Sequence, residues 1–156
     1  MANSKSKSKP QDAIAILKAD HASVKKAFKQ FEKMDQEDVA TMKELVTTVC
    51  NELTVHTTIE EEIFYPALRK KMEDEDLMNE AQVEHASAKD LIKQLEGMDA
   101  DDPLYAATFT VLGEYVNHHV EEEEDEMFPQ AEKLKLDLEE LGRKMLARKE
   151  DLMATA

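Results

Sequence analysis

The sequence predicts an all-α protein, an antiparallel up-and-down four-helix bundle with a pseudo-twofold repeat, plus a C-terminal fifth helix. Three observations lead there. Helix-forming residues dominate a chain of 156 residues that holds only three Gly and four Pro, too few turn residues for a sheet fold with many tight turns. Apolar side chains recur at three- and four-residue intervals, the spacing of one helix face. The chain also repeats itself: DHASVKKAFKQFEKMD at 20–35 aligns on EHASAKDLIKQLEGMD at 84–99 with nine of sixteen positions identical, and HTTIEEEIFYP at 56–66 aligns on HVEEEEDEMFP at 119–129. Two similar helical hairpins bury both apolar faces most simply by packing against each other as a bundle.

Residues 1–10, alternating Ser and Lys before Pro10, read as a disordered basic tail. The bundle is expected over residues 11–130. Its first helix runs from Gln11 to near Met34 and carries Ile14, Leu17, Val24, Phe28 and Phe31 on one face. The second spans about Gln36 to Lys71 with the stripe Met42, Leu45, Val49 and Leu53. Pro66 falls inside it, removing a helical hydrogen bond and crowding the preceding turn, so a kink or break is expected near Phe64 and Tyr65. The third, 75–96, carries Met78, Ala81, Ala88, Ile92 and Leu95 and stops at Gly97, a C-terminal cap. The fourth runs from about Pro103 to Met127, with Asp101 or Asp102 as N-cap and the stripe Tyr105, Phe109, Leu112 and Val116; Pro129 follows it. Residues 131–156 hold an amphipathic helix over about 131–152, with Leu134, Leu138, Leu141, Met145 and Leu146 at helical spacing, and a short tail. Its expected role is to cover an end or side of the bundle, a homodimer contact being the alternative.

Charge and composition exclude several functions. The formal net charge of −15 argues against nucleic acid and anionic membranes as partners, because binding a polyanion depends on basic patches. No stretch approaches the 18 or so consecutive apolar residues of a transmembrane helix. Cys50 is the only cysteine and cannot form an internal disulfide, and the first dozen residues lack the apolar run of a secretory leader. A reducing cytoplasm is the expected setting.

The informative minority is the five histidines. The repeat places one in each bundle helix, His21, His56, His85 and His119, and two of them have a glutamate one turn later, His56 with Glu60 and His119 with Glu123. The i, i+4 spacing puts both side chains of such a pair on one face, within reach of a single metal. That face is the apolar one in every case. A lone histidine on an apolar face is more often a hydrogen-bonded core residue than a ligand. If a core stripe takes a third of each helix, however, four independent histidines would all fall on it roughly one time in a hundred. Ionised carboxylates are moreover costly to bury unless paired or bound to metal. Four imidazoles and two carboxylates are too many ligands for one tetrahedral zinc but suit two ions bridged by the carboxylates, and nitrogen and oxygen donors without thiolate fit iron or manganese. His118 with Glu122 makes a second H-x-x-x-E pair. Counting back ten residues from Pro129 gives His119, as counting back ten from Pro66 gives His56, so His118 is assigned to the solvent side or to support of a ligand. Glu61, Glu62, Glu121, Glu124 and Glu126 are read as a solvated face, with some of them candidates for orienting ligand histidines. Tyr65, Tyr105 and Tyr115 are open candidates for approaching the metals, Met42, Met78, Met127 and Met145 are read as core, and Cys50 as a packed thiol.

These residues resemble the hemerythrin-like family, the HHE cation-binding domain. The match lies in Asp-His21, in His56-T-T-I-Glu60-Glu61-E-I-F-Y-Pro66, in Glu-His85 and in His119-V-E-E-Glu123-Glu124-D-E-M-F-Pro129. The resemblance covers about residues 11–130. It implies a non-haem di-iron centre with an oxo or hydroxo bridge, in which His21, His56, His85 and His119 are terminal ligands and Glu60 and Glu123 bridge the metals; manganese and zinc rank below iron. The chain departs from the oxygen-carrying members. Those carry two histidines one turn apart in the third helix, where His85 here is flanked at four residues by Ala81 and Lys89, and their fourth-helix carboxylate falls five residues after the histidine rather than four. The expected function is therefore binding of, or reaction with, dioxygen, hydrogen peroxide or nitric oxide, as a redox or iron sensor or as a di-iron peroxidase, oxidase or nitric oxide-processing enzyme. Iron storage or buffering, or a zinc or manganese site without redox chemistry, is the alternative.

Overall fold

The computed structural model of the chain describes residues 12–155; the tail expected over residues 1–10 lies outside the described residues. Helices α1 (Ala13–Lys33), α2 (Val39–Ile59), α3 (Tyr65–Arg69), α4 (Glu75–Glu96), α5 (Tyr105–Glu122), α6 (Phe128–Lys133) and α7 (Leu138–Thr155) follow one another, with π-helical turns at Glu60–Phe64 and Glu123–Met127. The π turns join α2 to α3 and α5 to α6, so the chain forms four bundle rods and a fifth helix. Rod α1 packs on α2 and α5, and α4 packs on α2 and α5, which closes the bundle, while α7 lies along α1 and α2. Among the described residues no helix is long and apolar enough to cross a membrane.

Short polar side chains start the helices. Asp12 accepts from the Ala15 amide at 2.8 Å, Asp38 from Thr41 at 3.3 Å and Asp74 from Leu77 at 3.1 Å, each satisfying an amide that lacks an intrahelical partner. The expected cap of the fourth helix is displaced. Asp102 accepts from the Leu104 amide at 2.8 Å within a turn, and α5 begins only at Tyr105.

The expected break at Pro66 is instead a π turn. The Tyr65 amide bonds the Glu60 carbonyl five residues back, and Pro66 sits in the first turn of α3, where an amide hydrogen is dispensable. The second repeat behaves alike: the Phe128 amide bonds the Glu123 carbonyl, and the rod continues through Pro129 to Lys133 rather than stopping at Met127. For the same reason the fifth helix starts at Leu138, not near 131. Each π turn contains one more residue than an α turn would, so the register rotates. Phe64 and Phe128 reach the core at 0% and 1% exposure, whereas Ile63, which 3.6-residue spacing puts on the stripe, is only half-buried.

The core has two parts. One, at the α1–α2 and α4–α5 connections, is built on Phe28, Phe31, Val49, Phe109 and Leu112. Gly113 of α5 makes room for it, since a Cβ there would lie 3.0 Å from the Phe28 ring. The other holds Leu17, Ile59, Phe64, Leu68, Phe128 and Met145, so α7 contributes to it directly. Met42, Met78, Met127, Met145 and Cys50 are all buried, as the spacing implies.

Candidate metal centre

Between the two core parts lies a layer of buried polar side chains: His21, His56, Glu60, His85 and Glu123, none more than 5% exposed, with His119 beside them. His21 follows Leu17 by one turn on α1 and precedes Val24; His56 and Glu60 share one face of α2 and its π turn; His119 and Glu123 share the equivalent face of α5. The six form two groups, His21, His56, Glu60 and Glu123, and Glu60, His85, His119 and Glu123, with one donor atom per residue and all donors of a group within 4.8 Å of one another. Both glutamates belong to both groups.

Every imidazole in this layer is held from outside by a carboxylate. The Nδ1–H groups donate from His21 to Glu124 at 2.7 Å, from His56 to Asp20 at 2.9 Å, from His85 to Glu61 at 2.8 Å and from His119 to Glu84 at 2.6 Å. This fixes the tautomer and turns each Nε2 lone pair inward. The inward nitrogens lie close to the shared carboxylates: His21 to Glu123 at 3.0 Å, His56 to Glu60 at 3.2 Å, His85 to Glu60 at 3.1 Å and His119 to Glu123 at 3.3 Å. Yet His21 Nε2, His56 Nε2, both Glu60 oxygens and Glu123 Oε1 make no directed hydrogen bond. Buried polar atoms without partners are rare. Here nitrogen and oxygen lone pairs converge on common points rather than on each other, which is the arrangement a cation between them satisfies.

The same residues also hold protons that a cation would have to displace. Burial pulls the His56 imidazolium down, but Glu60 and Asp20 outweigh it and hold the group at about 10. For His119 the same opposition, won by Glu123 and Glu84, gives about 11. Glu123 stands well below the usual carboxylate range despite its burial, because the His119 and His21 imidazoles lie against it. Metal ligands must be deprotonated, so a cation entering the layer competes with these protons.

One hydroxyl breaks the symmetry. Tyr65 Oη lies 3.2 Å from His85 Nε2 and 3.3 Å from His119 Nε2 and donates to Glu123; burial, with Glu123 and Glu60 nearby, raises its phenol well above the ordinary value. Of the three tyrosines, Tyr105 packs in the distant core part, and half-exposed Tyr115 lines a cavity of about 30 Å³ under the four histidines, walled by Val24, Leu53, Ala88, Val116 and Val120. That volume holds about two waters, or a diatomic molecule.

The residues singled out by spacing thus meet in one place. His118 stays on the surface, 3.0 Å from Glu122 and 3.6 Å from Glu84. Glu61 and Glu124 leave the solvated face to hold histidines, while Glu62 pairs with Arg148 at 2.8 Å. Asp20 and Glu84 are supports that the spacing does not single out. Their signal was in plain sight, an acidic residue directly before the first histidine of each repeat, but each orients the histidine of a neighbouring helix rather than its own.

Comparison with known proteins places this geometry. The profile of the hemerythrin HHE cation-binding domain matches residues 12–131. The crystal structure of a hemerythrin HHE cation-binding domain-containing protein from Mycobacterium kansasii superposes with a TM-score of 0.79 at 28% identity, covering 93% of this chain and 89% of that one. A curated DNA nickase from Nostoc sp. is 26% identical over 113 residues, 72% of this chain; the chain spans only 31% of that protein's length.

Proposed function

The chain belongs to the hemerythrin HHE cation-binding domain family, and from that membership we propose that it is a non-haem di-iron protein that binds or reacts with dioxygen, hydrogen peroxide or nitric oxide. The observation that carries the reading is the pair of four-residue groups sharing Glu60 and Glu123, in which His21 Nε2, His56 Nε2, both Glu60 oxygens and Glu123 Oε1 are left unused by hydrogen bonding. His21 and His56 would hold one ion, His85 and His119 the other, and both carboxylates would bridge. Six nitrogen- and oxygen-bearing side chains without thiolate suit iron better than a tetrahedral zinc.

When bound, such a pair of ions supplies electrons one at a time and a Lewis-acidic place for a small molecule. The chain's own residues do the rest. The outer carboxylates keep the four imidazoles in register. The apolar walls of the cavity under the histidines admit a neutral diatomic and disfavour ions. Tyr65 places one hydroxyl beside His85, His119 and Glu123, where it can hand over or take back a proton. A groove of about 480 Å³ lined by Glu61, Tyr65, Arg69, His85 and Lys89 brings solvent to that side.

The strongly negative chain favours small-molecule partners over nucleic acid, and the activity named for the Nostoc protein is not transferred through so small a share of its length. A cytoplasmic setting, and a homodimer contact through the half-exposed Leu146 and Met153 of α7, belong to the same proposal.

The test is optical. Iron-loaded protein is exposed in turn to oxygen, peroxide and nitric oxide. A reversible change in the visible and near-ultraviolet bands without net ligand consumption identifies a carrier or sensor, and repeated turnover identifies an enzyme. A colourless, zinc-loaded protein indifferent to all three would overturn the redox reading in favour of metal storage or a zinc site.

A further inference from the structure

We propose that the seam between α4 and α5 is the entrance for an uncharged diatomic molecule, with the Tyr115 ring as its gate, and that this entrance selects dioxygen or nitric oxide over hydrogen peroxide. The proposal rests on the reading above and narrows its choice of small molecule. It comes from comparing two seams that the repeat makes equivalent. Val24 aligns with Ala88, and Glu52, four residues before His56, with Tyr115, four before His119.

At the seam between α1 and α2, Val24 is buried, and the Ser23 hydroxyl donates to Glu52 at 3.2 Å from one helix to the other. At the seam between α4 and α5, Ala88 lacks the two γ-methyls of Val24, and an aromatic ring stands where the first half has a tethered carboxylate. The cavity of about 30 Å³ under the histidines reaches solvent here. Tyr115, 51% exposed, lines it, and no other lining residue is as open. One part of the ring therefore closes the cavity while the rest meets water. A side chain half in solvent changes rotamer quickly, whereas the packed walls around it do not yield.

The walls decide what passes. Between the gate and the histidines they are valine, leucine and alanine carbon, and the polar groups among them are already engaged. Asp20 accepts from His56 at 2.9 Å and from Lys149 at 2.6 Å, Glu84 accepts from His119 at 2.6 Å, and Thr57 donates to the Thr54 carbonyl at 3.1 Å. Dioxygen and nitric oxide carry no hydrogen-bond donor and give up little on leaving water. Hydrogen peroxide brings two O–H donors, and a donor buried without an acceptor is penalised. It finds acceptors instead in the polar groove lined by Glu61 and Tyr65.

Two measurements on the full-length protein test this. In the metal-free form, dissolved oxygen, which is paramagnetic, should speed the NMR relaxation of the Val24, Leu53, Val116 and Val120 methyls more than that of Ile59 and Leu68, which are as deeply buried but line the other core part. In the ferrous form, stopped-flow absorbance follows nitric oxide binding and release. Tyr115→Ala speeds both several-fold by the same factor and leaves the equilibrium affinity unchanged, because a gate lies on the path in both directions; a merely structural residue would move the affinity. Tyr115→Trp slows both, and Tyr115→Phe, which keeps the ring, changes neither. The rate of reaction with hydrogen peroxide does not follow this series. Cavity methyls that relax no faster than the control methyls, nitric oxide rates indifferent to Tyr115→Ala, or peroxide rates that change in step with them would overturn the proposal. Failure to load iron would overturn the di-iron reading instead, and the relaxation measurement, which needs no metal, still decides whether a diatomic enters the cavity.

Discussion

The residue before the repeat's proline is tyrosine in one half of the molecule and phenylalanine in the other. Tyr65 puts a hydroxyl among His85, His119 and Glu123; Phe128, its counterpart, stacks flat on His21 with ring centroids 5.9 Å apart and planes 5° from parallel. The backbone around them is the same, a π turn beginning at a shared glutamate and closing before a proline. The difference teaches how the two halves divide the work. What the repeat duplicates, the histidines, the bridging glutamates and the outer carboxylates, builds the donor set. What it does not duplicate, the Tyr65 hydroxyl, makes the two donor groups chemically unequal.

The comparison breaks most completely at a residue both halves share. Glu123→Ala removes a donor from both groups and the acceptor of Tyr65, and is expected to lower affinity at both positions by more than about 100-fold, beyond the usual effect of a supporting residue; elemental analysis after gel filtration checks it. Phe109→Ala tests whether the halves depend on the distant core. Phe109 is fully buried, with its ring centroid 4.8 Å from that of Phe28 and 4.7 Å from that of Phe31. Its truncation should cost about 3–5 kcal/mol in denaturant unfolding while the folded protein still takes up metal.

Smaller changes sharpen the asymmetry. Tyr65→Phe makes the two halves alike and leaves buried Glu123 short of a donor, which should cost the metal-free protein about 1–3 kcal/mol. In the loaded protein it should alter the optical response while leaving metal content intact. The reciprocal Phe128→Tyr should not reproduce the wild-type spectrum in a Tyr65→Phe background, because its ring lies against His21 and Phe64 rather than beside His85 and His119. The smallest effect is expected at Cys50, far from both positions. Burial first, and Glu96 second, push its thiol up to about 12 from about 9. A group whose folded value is raised stabilises fully below the lower value and progressively less up to the higher one, so this contribution is constant through neutral pH and fades only between pH 9 and 12. A thiol reagent at pH 8 should therefore label folded protein no faster than global opening permits, in loaded and unloaded forms alike.

Periodicity made most of this readable beforehand. The apolar stripes and the four histidines on them are one signal, because a helix that buries Leu17 and Val24 must bury His21 between them. The choice of His119 over His118 rested on the same register and agrees with where the two lie. The support of His56 by Asp20 and of His119 by Glu84 was not readable, since it depends on which helices neighbour each other. Nor were the π turns: a change of hydrogen-bond register leaves no trace in a 3.6-residue pattern, and Pro66 and Pro129 signal interruption without saying that the rod continues. The start of α5 at Tyr105 is equally hidden, because Asp102 closes a turn instead of capping the helix.

The central claim, that two ions sit between shared carboxylates, is tested most directly by iron counted per folded chain after anaerobic loading and removal of excess metal. Two ions per chain are expected from the two donor groups, falling to none in a His56→Ala, His119→Ala double variant that remains helical by circular dichroism. One ion or fewer in the unmodified chain, or two that persist in the double variant, would contradict it.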